Sequence, residues 1–353
     1  MEGDTLTKLA RIPSSEAKDR IPELLGKDLV DRHAKISKDG SFRLVPILDS
    51  SVSAIEAMGY EVVDGTAHSR DRTPPQERIL SALSDLPEDV LRGLPMRWEY
   101  VGDIVIIKLP DSAEPYKGRI GAVYSEQLDK STVCVDRSGV SGEFRRPSME
   151  IIHGTETESV RLENGIRYCF DVTKVMFASG NVDERERMKD LDCSGETVVD
   201  MFAGIGYFTL PLAKFSGARK VIACEKNPES FEFLKRNIVL NEVEDIVEPV
   251  LGDNRDLPGK AFADRILMGY VQTTSEFLPK ALEMIKPGGI IHYHDTFYVN
   301  EYRQRVESIF SEACGDGYEI LGIREVKSFA PSVSHYVADV RILSRRTPRI
   351  RSQ

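Results

Sequence analysis

The stretch that decides the fold of this chain spans residues 196–210 and reads Glu-Thr-Val-Val-Asp-Met-Phe-Ala-Gly-Ile-Gly-Tyr-Phe-Thr-Leu. An apolar run ends in Asp200, a loop carries Gly204 and Gly206, and a second apolar run follows. Beyond it, a further apolar run ends in Glu225. This order predicts a nucleotide-type cofactor site at the edge of a parallel sheet, because glycines let the backbone approach a ligand and the later carboxylate accepts hydrogen bonds from ribose hydroxyls.

The cofactor that this loop predicts is S-adenosylmethionine. A dinucleotide fingerprint would place a third glycine where this chain has Thr209, and its pyrophosphate needs a free helix N-terminus. Asp200, directly before the loop, would repel a phosphate but suits the amine of an amino acid. A nicotinamide oxidoreductase on the same fold, or a tight turn that binds no ligand, is the alternative interpretation.

Polar residues also follow the next predicted strands. The run Ile246–Leu251 leads into Asp253 and Asn254, which are able to hydrogen-bond an adenine ring, although an Asx turn is the simpler interpretation. Ligands of open α/β sheets bind beyond the carboxyl ends of the strands, so residues after the fourth and fifth predicted strands should face the same crevice. These residues are Gly269, Tyr270, His294 and Asp295.

The composition describes a globular protein of two or three domains. Of its 353 residues, 41% are hydrophobic and 29% charged. No apolar run approaches membrane-spanning length and the N-terminus does not resemble a signal peptide, so we expect a cytoplasmic protein without membrane association. Five scattered cysteines without a Cys-x-x-Cys pair argue against a disulfide scaffold and a zinc site.

The net charge of −10 argues mildly against a nucleic-acid partner, because binding to phosphates needs clustered basic residues. Basic residues do cluster locally, although solvated surface charge is the commoner explanation of such runs. The clusters contain Arg145 and Arg146, and Arg345, Arg346, Arg349 and Arg351.

The order of predicted elements divides the chain into a series of domains. Residues 1–63 predict a small α/β domain, and the polar stretch 64–77, with its proline pair, predicts a linker. Residues 78–181 are rich in short predicted strands. In residues 182–353 strands alternate with helical patterns, which predicts a doubly wound, Rossmann-like α/β domain. The predicted fold class is therefore α/β, with the cofactor-binding domain at the C-terminus.

Five further features of the sequence belong together: 163–177 (Glu-Asn-Gly-Ile-Arg-Tyr-Cys-Phe-Asp-Val-Thr-Lys-Val-Met-Phe), Asn181 with Glu184-Arg185, the Asp200 loop, and the N-terminal runs 12–17 and 29–36. These strings resemble one group of archaeal tRNA-modifying enzymes. This group contains the tRNA guanine-37 N1-methyltransferases and their relatives, the wyosine-base aminocarboxypropyl transferases. The resemblance covers nearly the whole chain and is most specific over residues 163–295.

Two places separate these relatives, and both favour the aminocarboxypropyl transferases. Where the methyltransferases carry Ser-Pro-Arg-Leu, this chain has Phe-Ala-Ser-Gly-Asn-Val at 177–182, with Ala178 in place of a frequent serine. Where they carry Asn-Leu-Pro, this chain has Met-Gly-Tyr-Val-Gln-Thr-Thr at 268–274. Ala178 offers no hydroxyl, so only its backbone is available for a contact.

The resemblance implies transfer of the 3-amino-3-carboxypropyl group of S-adenosylmethionine to C7 of 4-demethylwyosine at position 37 of tRNA(Phe), with release of methylthioadenosine. The implied partner is the anticodon loop of that tRNA. The nearest alternative is guanosine-37 N1-methylation with the same cofactor. A more distant alternative is a non-catalytic RNA-binding adaptor that retains an inactive cofactor pocket.

The resemblance also implies roles for the cofactor-binding residues. Glu225 would hold the ribose, and Asp253 with Asn254 the adenine. Arg185, with the backbone near Ala178, would hold the methionine carboxylate, because a guanidinium matches a carboxylate. The simpler interpretation of Arg185 is a surface ion pair with Asp183 or Glu184. The loop of Asp200 and Gly204 would form the floor of the pocket.

The base that removes the C7 proton has three candidates, Tyr270, His294 and Asp295, and none of them stands out. Tyr270 is also able to stack on the tricyclic base. His292 and His294 point to one face of a strand, but without a third ligand nearby in sequence we expect no metal site.

Overall fold

The computed structural model describes residues 4–68, 73–141, 146–177, 179–271 and 273–343. The chain divides into two compact units, 1–78 and 79–353.

The first unit is an antiparallel sheet of strand order β2-β3-β1-β4 with helices packed on it. Its elements are β1 (Asp4–Pro13), α1 (Ala17–Gly26), β2 (Ser37–Asp39), β3 (Phe42–Ile47), α2 (Val52–Ala57) and β4 (Glu61–His68). Its core consists of buried aliphatic side chains such as Ile12, Leu24, Val45, Ile47 and Ile55.

The structure differs from the sequence prediction over the stretch 64–77, which the polar composition favours as a linker. Residues 64–68 complete β4, where Asp4 of β1 is paired with His68. Because β4 is the edge strand of its sheet and mostly solvent-accessible, polar residues are compatible with a strand here. The end of the stretch, from Pro75 onwards, begins a helix.

The second unit opens with a mixed sheet of order β5-β6-β7-β8 and a two-stranded hairpin. Its first elements are α3 (Pro75–Ala82), α4 (Glu88–Gly93), β5 (Glu99–Val101), β6 (Ile104–Ile107), α5 (Lys117–Leu128), β7 (Thr132–Ser141), β8 (Arg146–His153), β9 (Glu158–Glu163) and β10 (Ile166–Asp171). Strands β6 and β7 are parallel, and α5 connects them and packs Ile120 and Tyr124 into the core.

The rest of the chain forms a doubly wound α/β domain, as the alternating pattern predicts. Its sheet has the order β13-β12-β11-β14-β15-β17-β16, parallel from β13 to β15. The elements are α6 (Val182–Asp190), β11 (Thr197–Asp200), α7 (Thr209–Phe215), β12 (Lys220–Glu225), α8 (Pro228–Leu240), β13 (Val247–Leu251), β14 (Ala263–Met268), α9 (Leu278–Met284), β15 (Ile285–Tyr298), α10 (Tyr302–Cys314), β16 (Tyr318–Ala330) and β17 (Val333–Ile342). Apolar clusters cover both faces of the sheet.

The strand order places the site. From β11 the chain winds outward through β12 to β13 and then returns to β14 on the other side of β11. The gap between these two directions is the topological switch point, where open α/β sheets bind their ligands. The fold class predicted from the sequence is confirmed.

The hairpin of β9 and β10 is fixed to the doubly wound domain by side-chain amides of α8. The side-chain Oδ1 of Asn237 accepts from the backbone amide of Cys169 at 2.7 Å. Nδ2 of Asn237 donates to the backbone carbonyls of Cys169 at 3.1 Å and Ile205 at 3.0 Å. Asn241 makes the equivalent pair of bonds to the backbone of Arg167, at 2.9 and 2.7 Å. Asn237 therefore links the hairpin, α8 and the glycine loop in one buried network.

Strand β15 extends well beyond its parallel neighbour. The pairing of β14 with β15 ends at Met268 and Tyr293, whereas the pairing of β15 with β17 continues to Tyr298 and Val333. At about 3.4 Å per residue, the antiparallel strands project roughly 17 Å past the carboxyl end of β14. We call this projection of β15, β16 and β17 the sheet extension.

Candidate cofactor and substrate site

The glycine loop after β11 has the conformation that its sequence predicts. Gly204 has φ +57° and Gly206 has φ +101°, which is backbone that L side chains adopt with strain. A Cβ at Gly206 would lie 2.7 Å from Cγ of Leu210. The loop amide of Gly204 donates to Glu225 Oε2 at 2.7 Å, so the loop after β11 is bonded directly to the carboxylate at the end of β12.

A cavity of about 460 Å³ lies beyond the carboxyl ends of the parallel strands. This volume falls within the range of small-molecule sites, and the cavity combines apolar walls with a few polar groups. The predicted site residues that line it are Arg185, Gly204, Glu225, Asp253, Asn254, Tyr270 and His294. The sequence therefore places seven of its ten predicted site residues in one cavity, from motifs that are far apart in the chain.

Two of the predicted site residues that the structure describes are not found in that lining. Asp200 is fully buried beneath the loop, where it accepts from the Thr209 hydroxyl at 2.8 Å and the Phe202 amide at 3.2 Å. Asp295 accepts from the Tyr293 hydroxyl at 2.9 Å. Ala178 lies outside the described residues. Asp200 thus positions the loop and does not itself face the cavity.

Burial raises the pKa of Asp200 from 3.8 to about 6, despite the opposing hydrogen bonds from Thr209 and Phe202. A raised pKa means that the folded state binds the proton more tightly than the unfolded state. Wild-type stability should therefore decrease by up to about 3 kcal/mol as the pH rises from about 4 to above 6.

We expect Asp200→Asn to remove this decrease, because an amide is able to accept from Phe202 and donate to Thr209 without a charge. Urea unfolding at pH 5 and pH 7.5 measures the effect, with the exposed Asp245→Asn as control. The prediction fails if Asp200→Asn follows the same pH dependence as wild type.

Glu225 is pre-positioned as an acceptor. Its carboxylate receives the Gly204 amide and the Asn227 amide, both at 2.7 Å. Burial raises the pKa of Glu225, and these backbone donors counteract part of that increase. The side chain lines the cavity with its position fixed on both sides.

Asp253 and Asn254 differ in their availability to a ligand. The Asp253 carboxylate is engaged by Arg255, at 2.8 and 2.6 Å, and this ion pair holds the pKa of Asp253 well below its usual range. Asn254 donates to the Met201 carbonyl at 2.8 Å, but its buried Oδ1 has no hydrogen-bond partner among the described residues. A buried orphan acceptor on a cavity wall fits a ligand amine.

Arg185 is not in a surface ion pair, and that simpler interpretation is wrong. It is 2% exposed, and Nε donates to Glu163 Oε1 at 2.5 Å. The guanidinium lies 4.6 Å from the centre of the Phe177 ring. The partner is Glu163 of the hairpin, 22 residues earlier, and Arg185 presents its remaining surface to the cavity.

A buried ionic network holds α6, which carries Arg185, against the sheet. Arg187 bonds Glu184 and lies 3.5 Å from Asp339 of β17. Asp339 also accepts from His292 at 2.5 Å and from Arg324. Burial alone would raise the pKa of Asp339, but His292 and the two guanidinium groups outweigh it and hold this pKa far below its usual range. Asp339 is therefore the shared acceptor of His292, Arg187 and Arg324 in this network.

His294 lines the cavity as a neutral imidazole. It is fully buried, stacks on Phe208 with ring centres 5.2 Å apart, and its Nδ1 lies 3.1 Å from Nε2 of His335. Burial lowers the pKa of His294 to about 3, and neighbouring positive charge adds to the effect. At neutral pH it is a weak base, which disfavours it as the acceptor of the C7 proton.

Aromatic rings form another wall of the cavity. Tyr270 stacks on Phe202 at 5.0 Å, and Phe277 packs edge-on against Phe202 at 4.9 Å. The sequence motifs do not identify Phe202 and Phe277 as site residues, although both line the cavity. They also do not identify Asn181, whose buried Oδ1 has no hydrogen-bond partner in the described part of the chain. The sequence did contain an indication for Asn181, because this residue belongs to a string that carries the family resemblance.

The described residues hold neither a metal-ligand cluster nor a membrane-spanning helix. They contain no group of three or more His, Cys, Asp and Glu side chains able to hold a metal ion. Likewise, no helix among them is long and apolar enough to span a bilayer.

Comparison with known proteins gives two matching family models. Residues 159–321 match the TRM5/TYW2 methyltransferase domain, and residues 77–157 match the TYW2 N-terminal domain. The chain is 46% identical to the tRNA(Phe) (4-demethylwyosine(37)-C(7)) aminocarboxypropyltransferase of Pyrococcus horikoshii, over 75% of this chain and 96% of that protein. It is 33% identical to the tRNA (guanine(37)-N(1))-methyltransferase Trm5b of Pyrococcus abyssi, over 96% of this chain and 99% of that protein.

A solved structure agrees with these matches. The crystal structure of P. horikoshii TYW2 in complex with MeSAdo has a TM-score of 0.69 and 44% sequence identity, covering 76% of this chain and 99% of that one. The family resemblance inferred from the sequence is confirmed. The chain belongs to the TRM5/TYW2 family, and within it to the group of the tRNA(Phe) (4-demethylwyosine(37)-C(7)) aminocarboxypropyltransferases.

Proposed function

We propose that this chain transfers the 3-amino-3-carboxypropyl group of S-adenosylmethionine to C7 of 4-demethylwyosine at position 37 of tRNA(Phe), releasing methylthioadenosine. The observation that carries the proposal is the 46% identity to an enzyme named for this reaction, over 96% of that enzyme's length. The cavity supplies acceptors suited to the cofactor, and the solved relative binds MeSAdo. A tRNA substrate also supports a cytoplasmic location, and the resemblance to archaeal enzymes supports an archaeal source.

Each part of the cofactor has a group to receive it. Glu225 accepts from the ribose hydroxyls, and Asn254 Oδ1 accepts from the adenine amine, while Asp253 is restrained by Arg255. Arg185 binds the methionine carboxylate, because a buried guanidinium with an aromatic ring on one face is well suited to an anion. The backbone near Ala178 adds a contact to the same carboxylate.

The outcome of the reaction depends on how the cofactor is turned. A sulfonium has three electrophilic carbons, and the one that reacts is the one in line with the nucleophile at about 3–3.5 Å. A fixed Arg185 holds the end of the methionine arm, which directs its Cγ towards the base. Tyr270, at the end of β14 and supported by Phe202, stacks on the tricyclic base. Tyr270 and His294 line the cavity and contact the reacting groups, whereas Asp295 accepts from Tyr293 and is absent from the lining.

The domain division also stays a proposal. We assign the small sheet that ends with β4 to tRNA recognition, residues 78–181 to a β-rich domain and residues 182–353 to catalysis. The anticodon loop is the part of the tRNA that must reach the cavity, because a base in position 37 has to leave its stack before a pocket can enclose it.

The released nucleoside tests the function directly. The enzyme should be incubated with S-adenosylmethionine labelled at the carboxyl carbon or at the methyl group, and with tRNA(Phe) that bears the tricyclic base. We expect the carboxyl label in the tRNA and methylthioadenosine in solution. The control is the same tRNA with an unmodified guanosine 37, which should accept neither label.

The alternative is guanosine-37 N1-methylation. It is supported by the 33% identity to Trm5b over 96% of the chain. It predicts the methyl label on the unmodified tRNA and release of S-adenosylhomocysteine. That result without carboxyl transfer would replace the proposed function by the alternative.

A further inference from the structure

The sheet extension has a covered rear face and an open front face. On the rear, Tyr293, Phe297 and Tyr336 pack against α10, with Tyr336 stacked on Tyr302 at 4.4 Å between ring centres. Side chains alternate along a strand, so the neighbouring positions point to the front. We define the front face by Thr296, Lys327, Phe329 and His335, of which the last three line the cavity.

Phe329 is unusual on this face because it is both part of the cavity lining and 46% exposed. It lies at a register shift between Ser328 and Ala330, near the end of the pairing of β16 with β17. Such bulges redirect a side chain from the regular alternation. The ring is therefore available to stack on a ligand that enters the cavity.

The charge around the mouth is positive. Lys174, Lys226 and Arg255 line the same cavity and their side chains are 52%, 49% and 52% exposed. Lys327 on the front face adds a fourth cation. The described lining also contains three carboxylates, Glu225, Asp253 and Glu276, and Asp253 pairs with Lys226 and Arg255. Five Lys and Arg side chains therefore face three carboxylates in this lining. In a chain of net charge −10 this is a local cationic rim.

An aromatic ring beside cations, on an open sheet face, fits one class of partner best. Single-stranded nucleic acid presents bases that stack on aromatic rings and phosphates that attract lysines. An acidic peptide would use the cations but would leave the ring unexplained. We propose that the front face of the sheet extension binds the unpaired nucleotides next to the target base, with Phe329 stacked on a flanking base and Lys327 at a phosphate.

This inference rests on the proposed function, since it assumes that the cavity takes a base from an RNA loop. It adds a binding surface outside the cofactor contacts. The front face holds the loop while the target base occupies the cavity, so the two halves of the substrate are recognised by different walls. Substitutions on the front face should therefore alter RNA affinity and leave cofactor affinity unchanged.

The test uses the full chain and the variants Phe329→Ala, Phe329→Trp and Lys327→Ala. The matched control is Phe215→Ala on α7, whose ring is 41% exposed and is not part of the cavity lining. Fluorescence anisotropy measures the Kd for tRNA(Phe) at several salt concentrations, and calorimetry measures the Kd for S-adenosylmethionine.

We expect Phe329→Ala to raise the Kd for tRNA about 10-fold, and Phe329→Trp to preserve it, because one stacked base is lost in the first variant only. Lys327→Ala should reduce the slope of log Kd against log salt by about 0.7, the value for one single-strand phosphate contact. The Kd for S-adenosylmethionine should not change in any variant.

Two results would overturn the inference alone. One is a Phe329→Ala protein that binds tRNA as tightly as Phe215→Ala does. The other is a loss confined to S-adenosylmethionine affinity, which would make the ring a part of the cofactor pocket. A wild-type protein that binds the cofactor but not tRNA would instead refute the proposed function, and this inference with it.

Discussion

Replacing Glu225 by alanine is expected to lower kcat/KM for S-adenosylmethionine at least about 100-fold, because hydrogen bonds to a charged acceptor contribute about 1.5–3 kcal/mol each and a ribose offers two donors. The substitution also removes the acceptor of the Gly204 and Asn227 amides. The loop that faces the cofactor then loses its fixed position. Both effects act on the cofactor site and reinforce each other.

Steady-state kinetics and calorimetry with S-adenosylmethionine measure the loss. Glu225→Gln separates its causes, because the amide still accepts from one donor but carries no charge. The matched control is Glu248→Ala on the neighbouring strand β13, where the carboxylate is 53% exposed and pairs with Lys220. Unchanged cofactor affinity in Glu225→Ala would remove the proposed ribose contact.

Replacing Asp339 by alanine is expected to lower the free energy of unfolding by about 3 kcal/mol, the low end of the usual cost of leaving buried partners uncompensated. The low end applies because the side chains of Arg187 and Arg324 are 17% and 37% exposed. Asp339 is the shared acceptor of His292, Arg187 and Arg324. Without it, positive groups face each other behind α6. Because α6 carries Arg185, we also expect weaker binding of S-adenosylmethionine.

Urea unfolding at pH 7 measures this loss, with Glu319→Ala as control, since Glu319 forms an exposed pair with Arg341 on the same sheet. The pKa of Asp339 is lowered in the folded state, so its contribution is complete above the ordinary pKa near 4 and is lost as the pH falls further. The difference between wild type and Asp339→Ala should therefore shrink below about pH 4. A small, pH-independent difference would contradict the role of the carboxylate.

The sequence predicted the parts of the site that are encoded locally. The run into Asp200, the two glycines and Glu225 lie in a continuous βαβ segment whose spacing determines its geometry. The positions of Asp253, Tyr270 and His294 followed from a single rule about strand ends. The same rule was insufficient for Asp295, which lies on the same face of β15 as Tyr293 and is absent from the cavity lining.

Contacts between distant segments were not predictable in the same way. Arg185 appeared to have acidic partners next to it, yet its partner is Glu163, because the β9–β10 hairpin packs beside α6 only after folding. Asp200 turned inward to the loop amide of Phe202 instead of towards a ligand. The pairing that brings Lys327 and Phe329 to the cavity depends on strand register, which a single sequence leaves open.

The amides of Asn237 and Asn241 have a consequence for how this protein can be dissected. They satisfy the backbone of β10 from α8, and Tyr168 and Phe170 of that strand belong to the apolar cluster beneath the glycine loop. A fragment that starts at the first residue of α6 would lose those rings. The side chains of Asn237 and Asn241 would then lack the backbone groups of β10 to which they bond. The smallest catalytic fragment that retains its own interior must therefore begin upstream of Glu158.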